Sequence, residues 1–501
     1  MKNITYRSTR DTGKNPESVT SAQAIKQGIA DDGGLFMPSE IVKLDAETIG
    51  GFAEMGYSDI AAHILSLYLT DYGKTDIDNI SNQAYSEANF PEGAAKVSKL
   101  TDKISVLELY HGPTSAFKDM ALQIMPLLLK KAFDITGEKK RALILVATSG
   151  DTGKAALEGT KNIEGINTLV FYPKYGVSDI QKLQMETQEG ENLDVCAVEG
   201  NFDACQTGVK EIFGDPEVKS AAEKSGVFFS SANSINFGRL IPQVAYYFYA
   251  YAQMVKSGEI KPGEKSEKSE KIDISVPTGN FGNILAAYFA KAMGLPADKL
   301  ICASNANNVL SDFFTTGIYD TNREFFATMS PSMDILISSN LERLLYLLQG
   351  PEENRRYMSE LKSAKRFAAS GELKAKLSET FAGMHCDEPG TAAAIKKSFD
   401  RYGYLIDTHT AVAFDCALRY ASKNKTLVVS TASAYKFVGD VYRSLTGKNP
   451  GEGMRAFALL RELTGAKIPK ALEELDKKPR RFDNTVEISG MKDYVMKKLG
   501  E

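Results

Sequence analysis

The sequence predicts an α/β protein built on parallel sheets, on three observations. Short, mostly apolar runs recur through the middle of the chain. Helical stretches separate them, and glycine- or hydroxyl-rich turns follow several of them. A strand covered by helices on both faces reads as a continuous apolar run rather than an alternating one, and strands that alternate with helices in sequence imply parallel pairing.

Residues 1 to about 95 read as a helical N-terminal region. Asp31-Asp32-Gly33-Gly34-Leu35-Phe36-Met37-Pro38 is a turn followed by an apolar plug that docks onto the core. Between Met55 and Tyr72, Ile60, Ile64, Leu65, Leu67 and Tyr68 recur at helical spacing. The first expected strand is Ala142–Ala147. Further ones are Thr168–Tyr172, Leu193–Val198, Ile272–Val276, Leu300–Ala303 and Thr426–Ser430. Residues 256–271 form a Lys-Ser-Glu tract with Gly258 and Gly263, expected to be a solvated connector between two lobes. From about residue 340 the chain reads as mostly helical with one late strand, and no internal repeat is visible.

Composition narrows the class. A chain of 501 residues with 43% hydrophobic content buries a large core and is expected to hold two to three domains. The net charge of −4, with no basic stripe, argues against a nucleic-acid partner. Five scattered cysteines without a C-x-x-C pair, and only four histidines, argue against a metal site and a disulfide framework and fit a reducing cytosol. The opening Met1-Lys2-Asn3-Ile4-Thr5-Tyr6-Arg7 carries no apolar segment of a signal peptide. The apolar stretch from Ala245 to Val255 is too short and too rich in tyrosine to span a membrane.

One stretch carries the chemistry: Leu109-Tyr110-His111-Gly112-Pro113-Thr114-Ser115-Ala116-Phe117-Lys118-Asp119. A Gly-Pro turn leads into small residues, and a single lysine precedes the apolar Met120–Met125. A lysine held between Phe117 and an apolar helix is partly desolvated, which disfavours the ammonium and makes the amine a nucleophile toward carbonyls. Pairing with Asp119 would instead keep it charged. On these residues alone, a solvated lysine at a helix start is the commoner outcome.

Strand-end turns are the places where open α/β sheets bind ligands. Thr148-Ser149-Gly150-Asp151-Thr152-Gly153 offers backbone N–H groups to an anion, although a structural helix start explains it equally well. It is no P-loop, because Thr148 and Ala155 stand where that motif needs glycine and a hydroxyl residue. Pro277-Thr278-Gly279-Asn280-Phe281-Gly282-Asn283 opens a helix after an expected strand, and its glycines allow close backbone approach to a phosphate. Ser430-Thr431-Ala432-Ser433-Ala434 closes the last expected strand. In Ser231-Ala232-Asn233-Ser234-Ile235-Asn236-Phe237-Gly238-Arg239, polar groups crowd a turn before an apolar helix, and Arg239 suits either bidentate phosphate binding or a surface ion pair.

The run His111–Asp119 resembles the pyridoxal-phosphate lysine motif of the threonine synthase family, within the type II, or tryptophan-synthase-β-like, fold. Tyr6-Arg7-Ser8-Thr9-Arg10 and the Gly-Leu-Phe-Met-Pro run resemble the N-terminal domain of that family's long class, and the motifs follow in family order from about residue 5 to 440. The resemblance implies a two-lobed α/β fold with parallel-rich sheets. A helical domain would occupy residues 1–95, a large cofactor lobe 96–139 and 255–501, and a smaller mobile lobe 140–254. It implies that pyridoxal 5′-phosphate is carried by Lys118, whose amine then moves the substrate's protons. It assigns Ser149, Asp151 and Thr152 to the turn that wraps the substrate and the cofactor's 3′-oxygen. Gly279, Asn280, Phe281 and Asn283 go to the cofactor phosphate, and Thr431 to the pyridine nitrogen. Ser234, Asn236 and Arg239, helped by Thr152, go to the substrate phosphate. The implied reaction converts O-phospho-L-homoserine and water to L-threonine and phosphate, in a cytoplasmic monomer without metal, nucleic acid or membrane. A type II serine/threonine dehydratase is the alternative; it would share Lys118 and the phosphate turn but need neither Arg239 nor the N-terminal domain.

Overall fold

In the computed structural model, which describes residues 3–13, 17–148, 150–175, 177–263, 269–451 and 453–500, two parallel sheets divide the work. The strands, in chain order, are β1 (Tyr6–Ser8), β2 (Phe36–Pro38), β3 (Lys96–Lys99), β4 (Ile104–Glu108), β5 (Arg141–Ala147), β6 (Ile166–Pro173), β7 (Leu193–Glu199), β8 (Val227–Ser230), β9 (Ile272–Pro277), β10 (Ala297–Ser304), β11 (Ile318–Asp320), β12 (Arg366–Ala368), β13 (Phe381–His385), β14 (Lys425–Ser430) and β15 (Thr485–Glu487). The larger sheet runs β13-β10-β9-β14-β4-β3, parallel except at the β3–β4 edge. The smaller runs β15-β7-β6-β5-β8, parallel throughout.

Each expected apolar run lies within a strand, lengthened by up to three residues at an end. Interior strands are buried on both faces, as in β9, where every residue is buried. The strands without an apolar run are mostly edges: β3, β13, β8 and β15 each have a single neighbour in their sheet. An edge strand is half covered and tolerates polar residues, so its sequence carries little pattern. β4 is interior, yet its Ser105 and Glu108 break the run. Their polar groups are satisfied at long range, Ser105 by Glu259 and Glu108 by Tyr404 at 2.8 Å and Ser98.

The N-terminal region is mostly helical, as expected, and holds one short antiparallel pair, β1 with β2, in which the Phe36-Met37-Pro38 plug is a strand. Its helices are Ser21–Gln27, Ala46–Gly51, Tyr57–Tyr68 and Lys74–Ala84, with Ile60, Ile64, Leu65 and Tyr68 buried and Leu67 half-buried. The region beyond 340 holds β12, β13, β14 and β15 rather than one strand. The chain's end leaves the large lobe: β15 extends the smaller sheet beside β7, and the helix Met491–Gly500 buries Met491, Val495 and Leu499 against Cys205, Val209 and Val218. Covering an open sheet edge and its apolar face drives this return of the chain.

The helix Pro242–Lys256, expected with the smaller lobe up to 254, packs instead on the N-terminal helices and on the helix Gly282–Met293. Tyr249 stacks edge-on to Tyr57 at 5.3 Å, and the Tyr246 hydroxyl donates to Asn283 Oδ1 at 2.6 Å. The tract at 256–271 therefore joins this helix to β9 within one body rather than linking two lobes; its residues 264–268 lie outside those described. Among the described residues, no helix is long and apolar enough to cross a membrane.

The two sheets meet where the helix Asp151–Thr160 packs on the short helix Asp119–Leu122. Gly159 makes this contact possible, since a Cβ there would overlap the Leu122 carbonyl oxygen. Neither backbone can yield without parting the helices. Gly159→Ala should therefore lower stability by about 1–3 kcal/mol in a denaturant titration.

Candidate active site

The carboxyl ends of β4, β5, β9 and β14 open onto one cavity of about 910 Å³. Its wall brings together Lys118, Asp151, Thr152, Ser234, Arg239, Gly279 to Asn283 and Thr431. Convergence at strand carboxyl ends is the rule for ligand sites in open α/β sheets.

Lys118 stands at the end of the loop after β4, and that loop is laced to the one after β14. Phe117 N donates to Thr431 O at 2.8 Å, Ser433 N donates to Ser115 O at 3.1 Å, and Ala116 bridges Ala432. Ser115 takes a left-handed φ of 58° to make the turn. Lys118 Nζ lies 3.5 Å from Ser332 Oγ, 3.6 Å from Asp151 Oδ2 and 4.9 Å above the Phe117 ring. Burial lowers its pKa from 10.5 to about 8; Asp151 pulls the other way, and Arg239 and Lys436 add to the fall. Asp119 does not pair with it. That carboxylate is buried and accepts from Thr114 N at 2.8 Å and Thr114 Oγ1 at 2.6 Å, and burial raises it to about 6.

Asp151 opens the helix after β5. Its Oδ1 accepts from Lys436 Nζ at 2.8 Å and Gln181 Nε2 at 2.7 Å. Burial opposes its charge, but Lys436 and Lys118 outweigh that and hold the carboxyl well below the usual range. The turn before it is less open to anions than its composition suggests, because Thr148 Oγ1 takes the N–H groups of Gly150 and Gly153, each at 2.9 Å. Ser149 lies outside the described residues.

At the other wall, Gly279 sits so tightly under Ser332 that a Cβ would stand 2.7 Å from the Ser332 carbonyl oxygen. Asn280 O accepts from Asn340 N at 3.1 Å and Asn340 Nδ2 at 3.0 Å, which pins the turn. Phe281 adopts φ 64° at the start of the helix Gly282–Met293, and no side chain caps that helix. Its first N–H groups thus remain for an anion, at the positive end of the helix dipole. Asn283 Oδ1 accepts from the hydroxyls of Tyr246 at 2.6 Å and Tyr247 at 2.5 Å, which leaves Nδ2 a buried donor without a hydrogen-bond partner among the described residues. An orphan donor, an uncapped helix start, a glycine against the wall and a desolvated lysine in one cavity fit an aldehyde that carries a phosphate, as pyridoxal phosphate does.

Thr431 is anchored through its backbone: its carbonyl accepts from Phe117 N, and its N–H donates to Thr410 Oγ1 at 3.3 Å. Arg239 is 6% exposed. Its Nη1 donates to Ala232 O at 2.8 Å and its Nη2 to Thr152 Oγ1 at 3.5 Å. Among the described residues no carboxylate pairs with it, and burial lowers its pKa only to about 10, so it stays charged at neutral pH. A buried cation with neutral partners marks a place for an anionic ligand. Ser234 lines the same wall, and its carbonyl accepts from the buried Arg343 at 3.2 Å. Asn236 does not line the cavity. It caps the helix Phe237–Leu240, accepting from Gly238 N at 2.9 Å, and its Nδ2 donates to Ile25 O at 2.9 Å and Ser231 O at 3.2 Å. With its amide fully used, Asn236 shapes the loop that presents Ser234 and Arg239.

Two wall or near-wall residues had no sequence signal. Lys436 is buried beneath Asp151. His409 lines the cavity, with Nδ1 2.9 Å from Asp407 Oδ1 and Nε2 accepting from Ser332 N at 3.1 Å, a pattern that assigns the neutral tautomer. Asp407-Thr408-His409 opens a helix with an ordinary Asp cap, and nothing local says which wall it meets.

Residues 5–85 match the family model "Threonine synthase N terminus", and residues 95–432 match "Pyridoxal-phosphate dependent enzyme". Threonine synthase of Saccharomyces cerevisiae is 36% identical over 474 residues, 88% of this chain and 89% of that protein. Threonine synthase-like 1 of Macaca fascicularis is 39% identical over 444 residues, 86% of this chain and 58% of that protein. The crystal structure of a PLP-bound threonine synthase from Brucella melitensis superposes with a TM-score of 0.85 at 32% identity, over 99% of each chain. The cavity's fit and these likenesses agree: the chain belongs to the threonine synthase family of pyridoxal-phosphate-dependent enzymes.

Proposed function

We propose that the chain converts O-phospho-L-homoserine and water to L-threonine and phosphate, with pyridoxal phosphate held at Lys118. One observation carries this reading: a desolvated amine and a buried guanidinium, which pairs with no carboxylate among the described residues, face the same cavity. The cofactor, when bound, supplies the electron sink that makes protons at the substrate's Cα and Cβ removable.

The chain's own residues do the rest. Lys118, with its amine near neutrality, takes a proton at Cα and then serves the Cβ proton. Arg239 and Thr152, with Ser234 beside them, grip the substrate phosphate and stabilise the charge that grows as it leaves Cγ. The same grip orients the substrate, so homoserine without a phosphate should react poorly. Gly279, Asn280, Phe281 and Asn283 hold the cofactor phosphate, and the Thr431 hydroxyl serves the pyridine nitrogen. Asp151 orients the Lys118 amine.

The decisive assay supplies O-phospho-L-homoserine to the purified protein. Threonine and phosphate should appear in equal amounts. Deamination of serine or threonine, with no phosphate released from phosphohomoserine, would favour a dehydratase instead; Arg239 weighs against that outcome. Gly279→Ala should weaken cofactor binding by roughly ten- to a hundredfold, because the wall offers no room for a methyl group without moving the phosphate turn. Equilibrium dialysis with pyridoxal phosphate reads this directly. The finer reading is a monomer working in the cytoplasm; five free, buried cysteines support the reducing compartment. Light scattering at 54.7 kDa per particle would agree with a monomer.

A further inference from the structure

Lys436 belongs to no motif, yet it holds the centre of the charge arrangement. It lies in the turn Ala434–Phe437 after β14, and its side chain is fully buried. Nζ donates to Thr114 O at 2.9 Å and meets Asp151 Oδ1 at 2.8 Å. The other Asp151 oxygen faces Lys118 at 3.6 Å. One carboxylate therefore stands between two ammonium groups. The other charged groups near this cluster are Asp119, turned toward Thr114, and Arg239, beyond Lys118.

The pair also crosses the junction of the sheets. Lys436 follows β14 of the larger sheet, and Asp151 follows β5 of the smaller. Two weaker bonds lie beside it, from Ser178 Oγ to Lys436 O at 3.4 Å and from Gln184 Nε2 to Thr114 O at 3.3 Å. Burying an ammonium is costly unless it is paired, and breaking such a pair leaves an uncompensated charge. On the reading proposed above, on which this inference rests, Lys118 must give up its ammonium proton to act as a nucleophile or a base. A buried carboxylate left facing an uncharged nitrogen alone would take up a proton. Lys436 opposes that outcome, because its Nζ lies 2.8 Å from Asp151 Oδ1, on the side away from Lys118.

We propose that Lys436 is a positioning residue for Lys118: a fixed counter-cation that keeps Asp151 ionised in both states of Lys118 and pins the helix Asp151–Thr160 over the cavity. Asp151 then stays a hydrogen-bond acceptor throughout the reaction cycle, and the smaller sheet stays docked at its first helix.

The test uses the full chain freed of cofactor and follows acylation of Lys118 against pH by peptide mass spectrometry. Lys436→Met removes a neighbouring cation, so the midpoint of Lys118 labelling should rise by about one pH unit, and amide exchange over residues 151–160 should quicken. Asp151→Asn, with Lys436 in place, should move the midpoint down. Lys436→Arg, which keeps the charge, should hold it near the wild-type value. A merely structural Lys436 would loosen the helix and leave the labelling midpoint where it was, and that result overturns the proposal. Should Lys436→Met fail to fold, Asp151→Asn and Lys436→Arg decide: a midpoint unmoved by the first, or shifted upward by the second as if the charge had been lost, overturns it equally. Labelling needs no cofactor, so failure of the functional reading shows separately, as a wild-type protein that labels with the expected midpoint yet never takes up pyridoxal phosphate.

Discussion

Lys118→Ala should leave the fold and the cavity intact and cut turnover of O-phospho-L-homoserine by at least roughly a thousandfold. The substitution removes the amine that joins the cofactor and moves the protons, and it touches little else: the loop is held by Phe117, Ser115 and Ser433 through the backbone. Pyridoxal phosphate should still bind through the helix start at Gly282–Met293, but borohydride should no longer fix it to the peptide containing position 118. A pH dependence follows from the same nitrogen. An amine with a pKa of about 8 is almost wholly ammonium at pH 6, and only the neutral form attacks an aldehyde. Uptake of pyridoxal phosphate by the wild-type apo-protein should therefore rise about tenfold per pH unit below pH 8 and level off above it. The sign for stability runs the same way. The folded pKa lies below the ordinary 10.5, so the unfolded chain binds more protons between these values, and this group's contribution favours the folded apo-protein increasingly as pH rises from about 8 to 10.5. Uptake that is flat from pH 6 to 9, or a reduced adduct on another lysine, would remove Lys118 from the centre of the chemistry.

The interior of the fold was legible because interior parallel strands must be apolar on both faces, and β5, β6, β9, β10 and β14 obey. β8, β13 and β15 stayed hidden because an edge needs only half that pattern, and β4 because its polar groups find partners such as Glu259 and Tyr404, far away in sequence. The site divides along the same line. Lys118, the phosphate turn and Arg239 sit in contiguous runs that a family resemblance exposes. The desolvation of Lys118 could be read from Phe117 and the apolar helix after it, but the charges that adjust it, Asp151, Arg239 and Lys436, arrive from three other segments. Asn236 shows the converse. Its spacing reads as a ligand contact, but an asparagine one residue before a helix has a nearer use for its amide as a cap. His409 and Lys436 needed the third dimension, because nothing beside them in sequence tells which cavity wall their elements reach.

Arg239→Met should raise KM for O-phospho-L-homoserine by roughly 30- to 1,000-fold, about 2–4 kcal/mol, while pyridoxal phosphate binds as before. The size follows from geometry. The guanidinium is buried, its fork is held by only a carbonyl and a hydroxyl, and a dianionic phosphate would be its sole charged partner among the described residues. Removing it should cost the folded protein little, because no buried carboxylate is orphaned by the change. Arg239→Lys should recover part of the loss, keeping the charge but not the planar fork. A second signature separates this reading from simple damage to the pocket. Arg239 is one of the cations that hold the Lys118 pKa down, so in Arg239→Met the pH at which Lys118 becomes reactive should move upward even when no substrate is present. A variant that loses the cofactor instead would place Arg239 at the cofactor's phosphate. An unchanged KM would place the substrate's phosphate elsewhere in the cavity, with Arg239 left as a buried cation that nothing in the reaction uses.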